Sequence, residues 1–483
     1  MDGHPNEKKS GSKRNVLLVG SVFAGCLFAR PAAANIQLMT PSPSPLDRPS
    51  TPRDGNSEAA VEIGAGWEVF TDGRLGGFAS YVRGDGFPLT ALDAMGNPTQ
   101  TPVGGGIDAN SASPIADPSM PNVQPRLESW RIRSGFVGNV LGIGVRYHIG
   151  ANVFTGYLQY WADVESESER KYTPMPIDQR EGYARVEGKW GMVTVGRQLT
   201  LFSRGAVEID FLYGHGYAVG FPTAVNSNGP SAGHIGTGVL GPGFAGGILY
   251  ATPNAGGLQL NVSIFDPVVL QGAWDRTKWP RPEGELTFDH AWSAAKLHLF
   301  VNGAYQKVYR TGEPDSTSTA AYGGGAGGRV EVGPVHLGVA AHYGQGLGLF
   351  YALEATEAAY DASPLHRLRK SYGLYGQGQV SAGRFDFNLG CGISEVIPLG
   401  EESAVINTAT GPMTITVPAD GTADVNGSRQ SLIKYQLGVS GVVVYHVTPH
   451  LHVSADYFRA NFAWQFGEKQ NVNFASAGMT LTW

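Results

Sequence analysis

From residue 61 to the end, apolar and polar side chains alternate along short segments, and these segments are joined by connections that are alternately very short and long. A period of two puts successive side chains on opposite faces of an extended strand. The segments are 67–82, 128–138, 143–161, 181–190, 192–198, 244–252, 257–266, 284–290, 296–309, 323–332, 335–343, 371–380, 384–394, 431–446, 450–461 and 472–483. Short connections fall at 139–142, 189–191, 253–256, 291–295, 333–334, 381–383 and 448–449. Long ones fall at 84–127, 162–180, 199–243, 267–283, 310–322, 344–370, 395–430 and 462–471. Turns on one rim and long loops on the other, over about 16 strands, are the layout of a transmembrane antiparallel β-barrel of the outer-membrane type. A soluble β-sandwich has no reason to separate them so regularly. The predicted fold class is therefore all-β.

The alternation is clearest in three places. Ile143, Val145, Tyr147 and Ile149 alternate with Gly144, Arg146 and His148. Leu451, Val453, Ala455 and Tyr457 alternate with His450, His452, Ser454 and Asp456, and Met479, Leu481 and Trp483 close the chain. Charged residues make up only 16%, against about 25% in ordinary soluble domains. Gly is 68 of 483 residues, about twice the usual share. Little charge, much glycine and 10% aromatic residues suit a wall that is apolar outside and polar inside. A net charge of −6 argues against nucleic acid as a partner. No stretch approaches the ~18 apolar residues of a helical membrane span.

Residues 1–34 read as a secretory signal peptide. Lys8, Lys9, Lys13 and Arg14 precede a short apolar core over 16–28, and Ala32, Ala33 and Ala34 offer a small-residue cleavage site. A lipoprotein reading at Cys26 fits poorly because Phe23 precedes it. Residues 35–60 form a Pro/Ser-rich linker, which favours extended chain. Residues 61–483 are the barrel domain.

One connection stands apart. From Leu199 to Gly243 about 45 residues show no sustained period, and loops that long are usually functional or disordered. This one carries Leu201, Phe202, Phe211, Leu212, Tyr213, Tyr217 and Phe221. Apolar residues at that density need burial. The loop is therefore expected to fold into the lumen and narrow it.

The chain resembles the general diffusion porins of Gram-negative outer membranes. The likeness is carried by Gly73–Gly86, by Arg131–Gly138, by Arg180–Gln198 with its Gly-Arg-Gln ending, and by Tyr445–Trp483 through Asp456, Tyr457, Phe458, Arg459 and the terminal aromatic residue. The resemblance implies a trimer embedded in outer-membrane lipid, passing small hydrophilic solutes and ions through a barrel narrowed by its third loop. It also implies that acids on that loop face basic residues of the wall. Arg74, Arg133 and Arg180 fall at the wall positions, Arg197 is the arginine of Gly-Arg-Gln, and Glu208 and Asp210 are the acids of the loop. Departures are the missing Pro-Glu-Phe-Gly-Gly core of the loop, the terminal Trp483 instead of Phe, and the linker.

Strand parity adds Arg131, Arg133 and Arg146 to the lumen face. It conflicts at one point: the motif turns Arg180 into the pore, while counting by two turns Arg185 inward. A bulge would reconcile them, and both stay candidates. The excess of arginines over acids predicts mild anion preference or near neutrality. Alternatives left open are a substrate-selective channel for anions or phosphate, and a barrel anchored to the cell wall. His446, His450 and His452 cluster at a turn but lack further ligands, so no metal or cofactor is expected. Gly323–Gly328 lacks the Gly-Lys-Ser/Thr ending of a phosphate loop, and no Gly-x-Ser-x-Gly elbow suggests an enzyme.

Overall fold

The computed structural model describes residues 59–88, 91–92, 98–106, 126–135, 138–162, 177–211, 233–268, 277–310, 318–353, 359, 365–408, 411–420, 422 and 429–483. The expected signal peptide, and the linker up to residue 58, lie outside the described residues. In chain order the strands are β1 (Ala59–Gly64), β2 (Trp67–Asp85), β3 (Ala91–Leu92), β4 (Pro98–Val103), β5 (Arg126–Arg133), β6 (Asn139–Ile149), β7 (Asn152–Ala162), β8 (Asp178–Gly188), β9 (Gly191–Leu199), β10 (Phe244–Ala251) and β11 (Leu258–Phe265). They continue as β12 (Arg281–Ala291), β13 (Ala295–Tyr309), β14 (Ser318–Val332), β15 (Val335–Gln345), β16 (Lys370–Ala382), β17 (Phe385–Ile397), β18 (Glu402–Thr408), β19 (Gly411–Val417), β20 (Arg429–His446), β21 (Leu451–Trp464) and β22 (Lys469–Thr482). One short helix, α1 (Arg204–Glu208), follows β9.

Each wall strand pairs antiparallel with the next, and β22 returns to pair with β2 from Thr482↔Arg74 to Val472↔Gly84. The result is a closed antiparallel barrel of 16 strands. Closure leaves no free sheet edge in the wall, so every backbone N–H and C=O can be satisfied without water. Both β5 and β6 pair with one edge of β2, at Phe78↔Arg133 and Arg74↔Val140. They are two halves of a single wall strand, one ending at Arg133 and the other beginning at Asn139. The expected turn at 139–142 is therefore wrong: the chain reverses at Gly150 and Ala151, where Gly150 has φ +59°. Merging 128–138 with the first part of 143–161, and splitting the latter at 150, cancel. The strand total stays as expected.

The two faces differ as the period requires. Leu75, Leu141, Ile143, Leu158, Val262, Leu286 and Leu389 are exposed on the outside of the barrel. Gln159, Thr194, Gln259, Asn302, Gln377 and Ser440 face inward. The apolar clusters inside the barrel lie where loops enter it. One joins Phe202, Leu240, Val308, Ala321 and Leu347; another joins Val207, Ile209, Ile235, Val239, Phe300 and Tyr375.

Candidate functional site: the lumen and its third loop

The loop after β9 is seated by glycines of the wall. Gly323, Gly325 and Gly327 share the inward parity of β14. A Cβ at Gly323 would come within 2.6 Å of the Phe202 ring, and one at Gly327 within 2.6 Å of Phe300. Phe300 in turn fills the space beside Gly205 of α1, where a Cβ would collide with the ring. The glycine run of β14 thus makes room for the helix and the rings beside it. The returning limb, 234–239, lies on a second glycine row across three adjacent strands. Gly373 sits under Gly238, and Gly392 and Gly438 sit under Thr237. The base of the loop is closed by the Thr200 N–H, which donates to the Gly243 carbonyl at 2.9 Å.

Polar side chains of the wall then hold the loop. One carboxylate oxygen of Glu283, on β12, accepts the Leu201 and Phe202 N–H groups at 2.7 and 2.8 Å. Arg281 Nε stands 2.9 Å from the other oxygen. Arg204 of α1 reaches Glu285 with Nε at 3.1 Å and with a second guanidinium nitrogen, and Glu208 lies 3.7 Å from Arg204. Burial opposes the charge on Arg204, but Glu285 and Glu208 outweigh it and hold the guanidinium above its ordinary pKa. Tyr375 Oη donates to the Ala206 carbonyl at 2.6 Å, and Gln377 bonds both the Ile209 carbonyl and the Phe211 N–H. Gln436 donates to the Gly236 carbonyl at 2.7 Å and accepts from Gly106 N–H of the first loop at 3.1 Å. All these partners are inward-facing, so the two described limbs of the loop, 199–211 and 233–243, lie inside the barrel.

The wall formed by β2, β6, β7 and β8 carries a ladder of rings and guanidinium groups. Arg146 lies 3.8 Å above the Phe70 ring, Phe70 stacks on Tyr157 at 5.9 Å, and Tyr157 meets Tyr183 at 5.3 Å. Arg185 lies 4.7 Å from the Tyr183 ring, and Arg180 lies 4.6 Å from that of Trp161. Hydrogen bonds tie the rings together: Trp161 Nε1 donates to Gln159 at 2.7 Å, Gln159 to Tyr157 Oη at 3.1 Å, and Tyr157 to Asp72 at 2.9 Å. Gly144 and Gly142 open the space, since a Cβ there would collide with the Phe70 ring and the Tyr157 hydroxyl. Stacking of a cation on a ring is worth about 0.5–2 kcal/mol and fixes where each charge stands.

The expected site residues divide as follows. Arg146 is inward and pairs with Glu68 at 2.7 Å. Arg74 is inward and buried. Arg180 and Arg185 both turn inward. Gln159 pairs with Glu181 while Tyr160 pairs with Gln179, so Arg180 is the extra residue of a bulge. Arg180 also pairs with Asp178 at 2.6 Å, and Arg185 donates to Thr194 Oγ1 at 3.2 Å. The backbones of Arg131 and Arg133 pair with Ser80 and Phe78; their side chains lie outside the described residues. Arg197 differs from expectation. It shares the outward parity of the exposed Val195 and donates to the Gln179 carbonyl at 3.2 Å. Asp210 differs too: it is buried against His234 at 3.0 Å instead of edging open lumen. Glu208 is held beside Arg204. At the anchor the expected polarity is reversed, with the arginine on the loop and the acids on the wall. Leu212, Tyr213, Tyr217 and Phe221 lie outside the described residues.

Glu283, Glu285, Tyr375, Gln377 and Gln436 were not singled out from the sequence. The only signal was parity: Arg281, Glu283, Glu285 and Thr287 alternate along one face of β12. Of the turn histidines, His446 bonds Asp386 at 2.7 Å and His452 at 2.8 Å, whereas His450 stays exposed in the turn.

Residues 131–274 match the family model of the Gram-negative porins. No curated protein matches the sequence. Among solved structures, the outer membrane channel DcaP of Acinetobacter baumannii is similar at TM-score 0.58 and 12% identity, over 88% of this chain and 100% of that one. The anion-selective porin from Comamonas acidovorans is similar at TM-score 0.51 and 13% identity, over 86% of this chain and 100% of that one. These likenesses are of fold. The family match covers residues 131–274, and the whole chain has the closed-barrel fold of these outer-membrane channels.

Proposed function

We propose that this barrel is a general diffusion channel for small hydrophilic solutes and ions, in which the loop over 199–243 sets the size limit. The observation that carries the reading is the anchoring of that loop to inward-facing residues on β12, β16 and β20. A loop fastened at both limbs holds a fixed width. On the facing wall, Arg146 and Arg180 each have a carboxylate partner, Glu68 and Asp178. Paired charges leave a small net field, so selectivity is weak, near neutrality or mildly in favour of anions. A second reading, selective passage of anions such as phosphate, is favoured by Arg185, which has no carboxylate partner among the described residues. The mature chain begins near Asn35 after cleavage at Ala34, and three copies assemble in the membrane, as the resemblance implies.

Single-channel recording in a planar bilayer tests this. Deleting 207–217 should raise conductance and the solute size cutoff. Unchanged values would place the limit elsewhere. A reversal potential close to zero in a salt gradient supports the diffusion channel; a large anion-directed one supports the second reading.

A further inference from the structure

Neighbouring strands bring three titratable side chains together at the turn rim. The chain reverses at 383–384, between β16 and β17, and at 447–450, between β20 and β21. In the wall β20 lies between β17 and β21. His446, the last residue of β20, stands directly opposite His452 on β21. It shares the parity of the buried Val442 and Val444, so its ring turns into the lumen beside that of His452. On the β17 side the His446 N–H donates to the Arg384 carbonyl at 2.9 Å, which sets the ring next to Asp386. The turn by itself offers only histidines; closure of the sheet adds a carboxylate from sixty positions earlier.

The hydrogen bonds fix where the protons stand. Asp386 Oδ1 accepts from Ser381 Oγ at 2.6 Å, and Ser381 Oγ accepts from Gln379 Nε2 at 3.1 Å. Asp386 Oδ2 lies 2.7 Å from His446 Nε2. A carboxylate only accepts, so the proton is on Nε2 and the neutral His446 ring keeps a lone pair on Nδ1. His452 Nδ1 meets that lone pair at 2.8 Å. The two rings are nearly perpendicular, at 88°, with centroids 4.7 Å apart. Two Nδ1 atoms thus share one proton between them. A carboxylate behind one nitrogen of an imidazole, with the other nitrogen aimed at a common point, is the arrangement that orients histidines for a metal ion.

We propose that a divalent transition-metal ion of the class of Zn2+, Ni2+ and Cu2+ binds at the turn-side mouth of the lumen by replacing this shared proton, with His446 Nδ1 and His452 Nδ1 as its protein ligands. The proton passes to water, and water molecules complete the coordination. Bonds of about 2.0–2.1 Å at a tetrahedral angle place the nitrogens roughly 3.3–3.4 Å apart. From 2.8 Å the rings need to part by about half an ångström. The His446 side chain is 31% exposed and has room for that movement. Neutral imidazole suits these ions, whereas Ca2+ and Mg2+ prefer oxygen ligands. Asp386 is a positioning residue: it holds the His446 tautomer and raises the basicity of the ring. A bound ion adds positive charge to the mouth, where a fixed charge acts on passing solutes.

The test uses the full-length chain refolded in detergent and freed of metal with EDTA. It is titrated with Zn2+ alone by calorimetry and with Cu2+ alone by electron paramagnetic resonance. Wild-type protein should bind one more ion per chain than the double variant His446→Ala with His452→Ala, and its Cu2+ spectrum should show coupling to two nitrogens that the double variant lacks. Asp386→Asn should weaken binding about 10–100-fold and keep the two-nitrogen spectrum. Either single alanine variant should weaken it further and reduce the coupling to one nitrogen. His450→Ala, in the exposed turn, should bind as wild type does, and Ca2+ should give no heat beyond that of the double variant. Heat-modifiable migration confirms the folded barrel in each variant. Equal Zn2+ binding by wild type and the double variant overturns the proposal, as does a loss on removing His450 as large as that on removing His446 or His452. Unchanged affinity in Asp386→Asn overturns the role given to the carboxylate.

Discussion

Replacing Glu283 should loosen the third loop without opening the barrel. Its one carboxylate oxygen receives two loop N–H groups, from Leu201 and Phe202, and the side chain is 1% exposed. Hydrogen bonds to a charged group contribute about 1.5–3 kcal/mol each. Removal leaves two buried donors and an unbalanced Arg281, so Glu283→Ala should weaken docking of this limb by roughly 3–5 kcal/mol. At 1.4 kcal/mol per tenfold, the undocked population rises by about two to three and a half orders of magnitude. Glu283→Gln keeps an acceptor oxygen and loses mainly the charge, for about 1–2 kcal/mol and on the order of a tenfold rise. The pair Arg281→Gln with Glu283→Gln restores local neutrality and isolates the hydrogen bonds. Single-channel traces should show a high-conductance level whose occupancy follows Ala over Gln over wild type. Liposome swelling should show a larger solute cutoff for the alanine variant. Identical occupancy and cutoff in wild type and Glu283→Ala would refute the claim that this carboxylate fastens the constriction.

Other outcomes follow from the same geometry. Gly392→Val places a side chain where the Thr237 carbonyl lies; it should raise the solute cutoff while the heat-modifiable barrel band persists. Tyr375→Phe removes only the bond to the Ala206 carbonyl, for about 1 kcal/mol, and should produce a smaller rise in current noise than Glu283→Ala. Replacing Arg146 and Arg180 by Ser removes the arginine partners of Glu68 and Asp178, so the reversal potential should move towards cations, more at low salt than at high salt. Ser at Arg131 and Arg133 should move it the same way; no shift in either pair would mean that other groups set the field. Amides at Glu208 and Asp210 should have little effect on selectivity, because both acids are already engaged within the loop.

The barrel was legible in the sequence because a wall between lipid and water writes its two faces into alternate residues. Ile143, Val145, Met479 and Leu481 announce the outside without knowledge of any partner strand. The alternation of turns and loops gave the rims, and Leu201, Phe202 and Phe211 showed that the loop after β9 needed burial. One boundary failed. Gly150 and Ala151 make the turn, but apolar residues flank them on both sides, while Asn139 and Gly142 carry turn chemistry inside a strand. What only the tertiary structure decided was which residues meet across the lumen. Arg180 and Arg185 both face inward because a bulge absorbs one residue, and Arg197 faces out because its strand keeps strict parity. Glu283 reaches Leu201 across more than eighty positions, and Gln436 reaches Gly236 across two hundred. Local period fixes the face of a side chain, but its partner depends on closure and register, which are properties of the whole sheet.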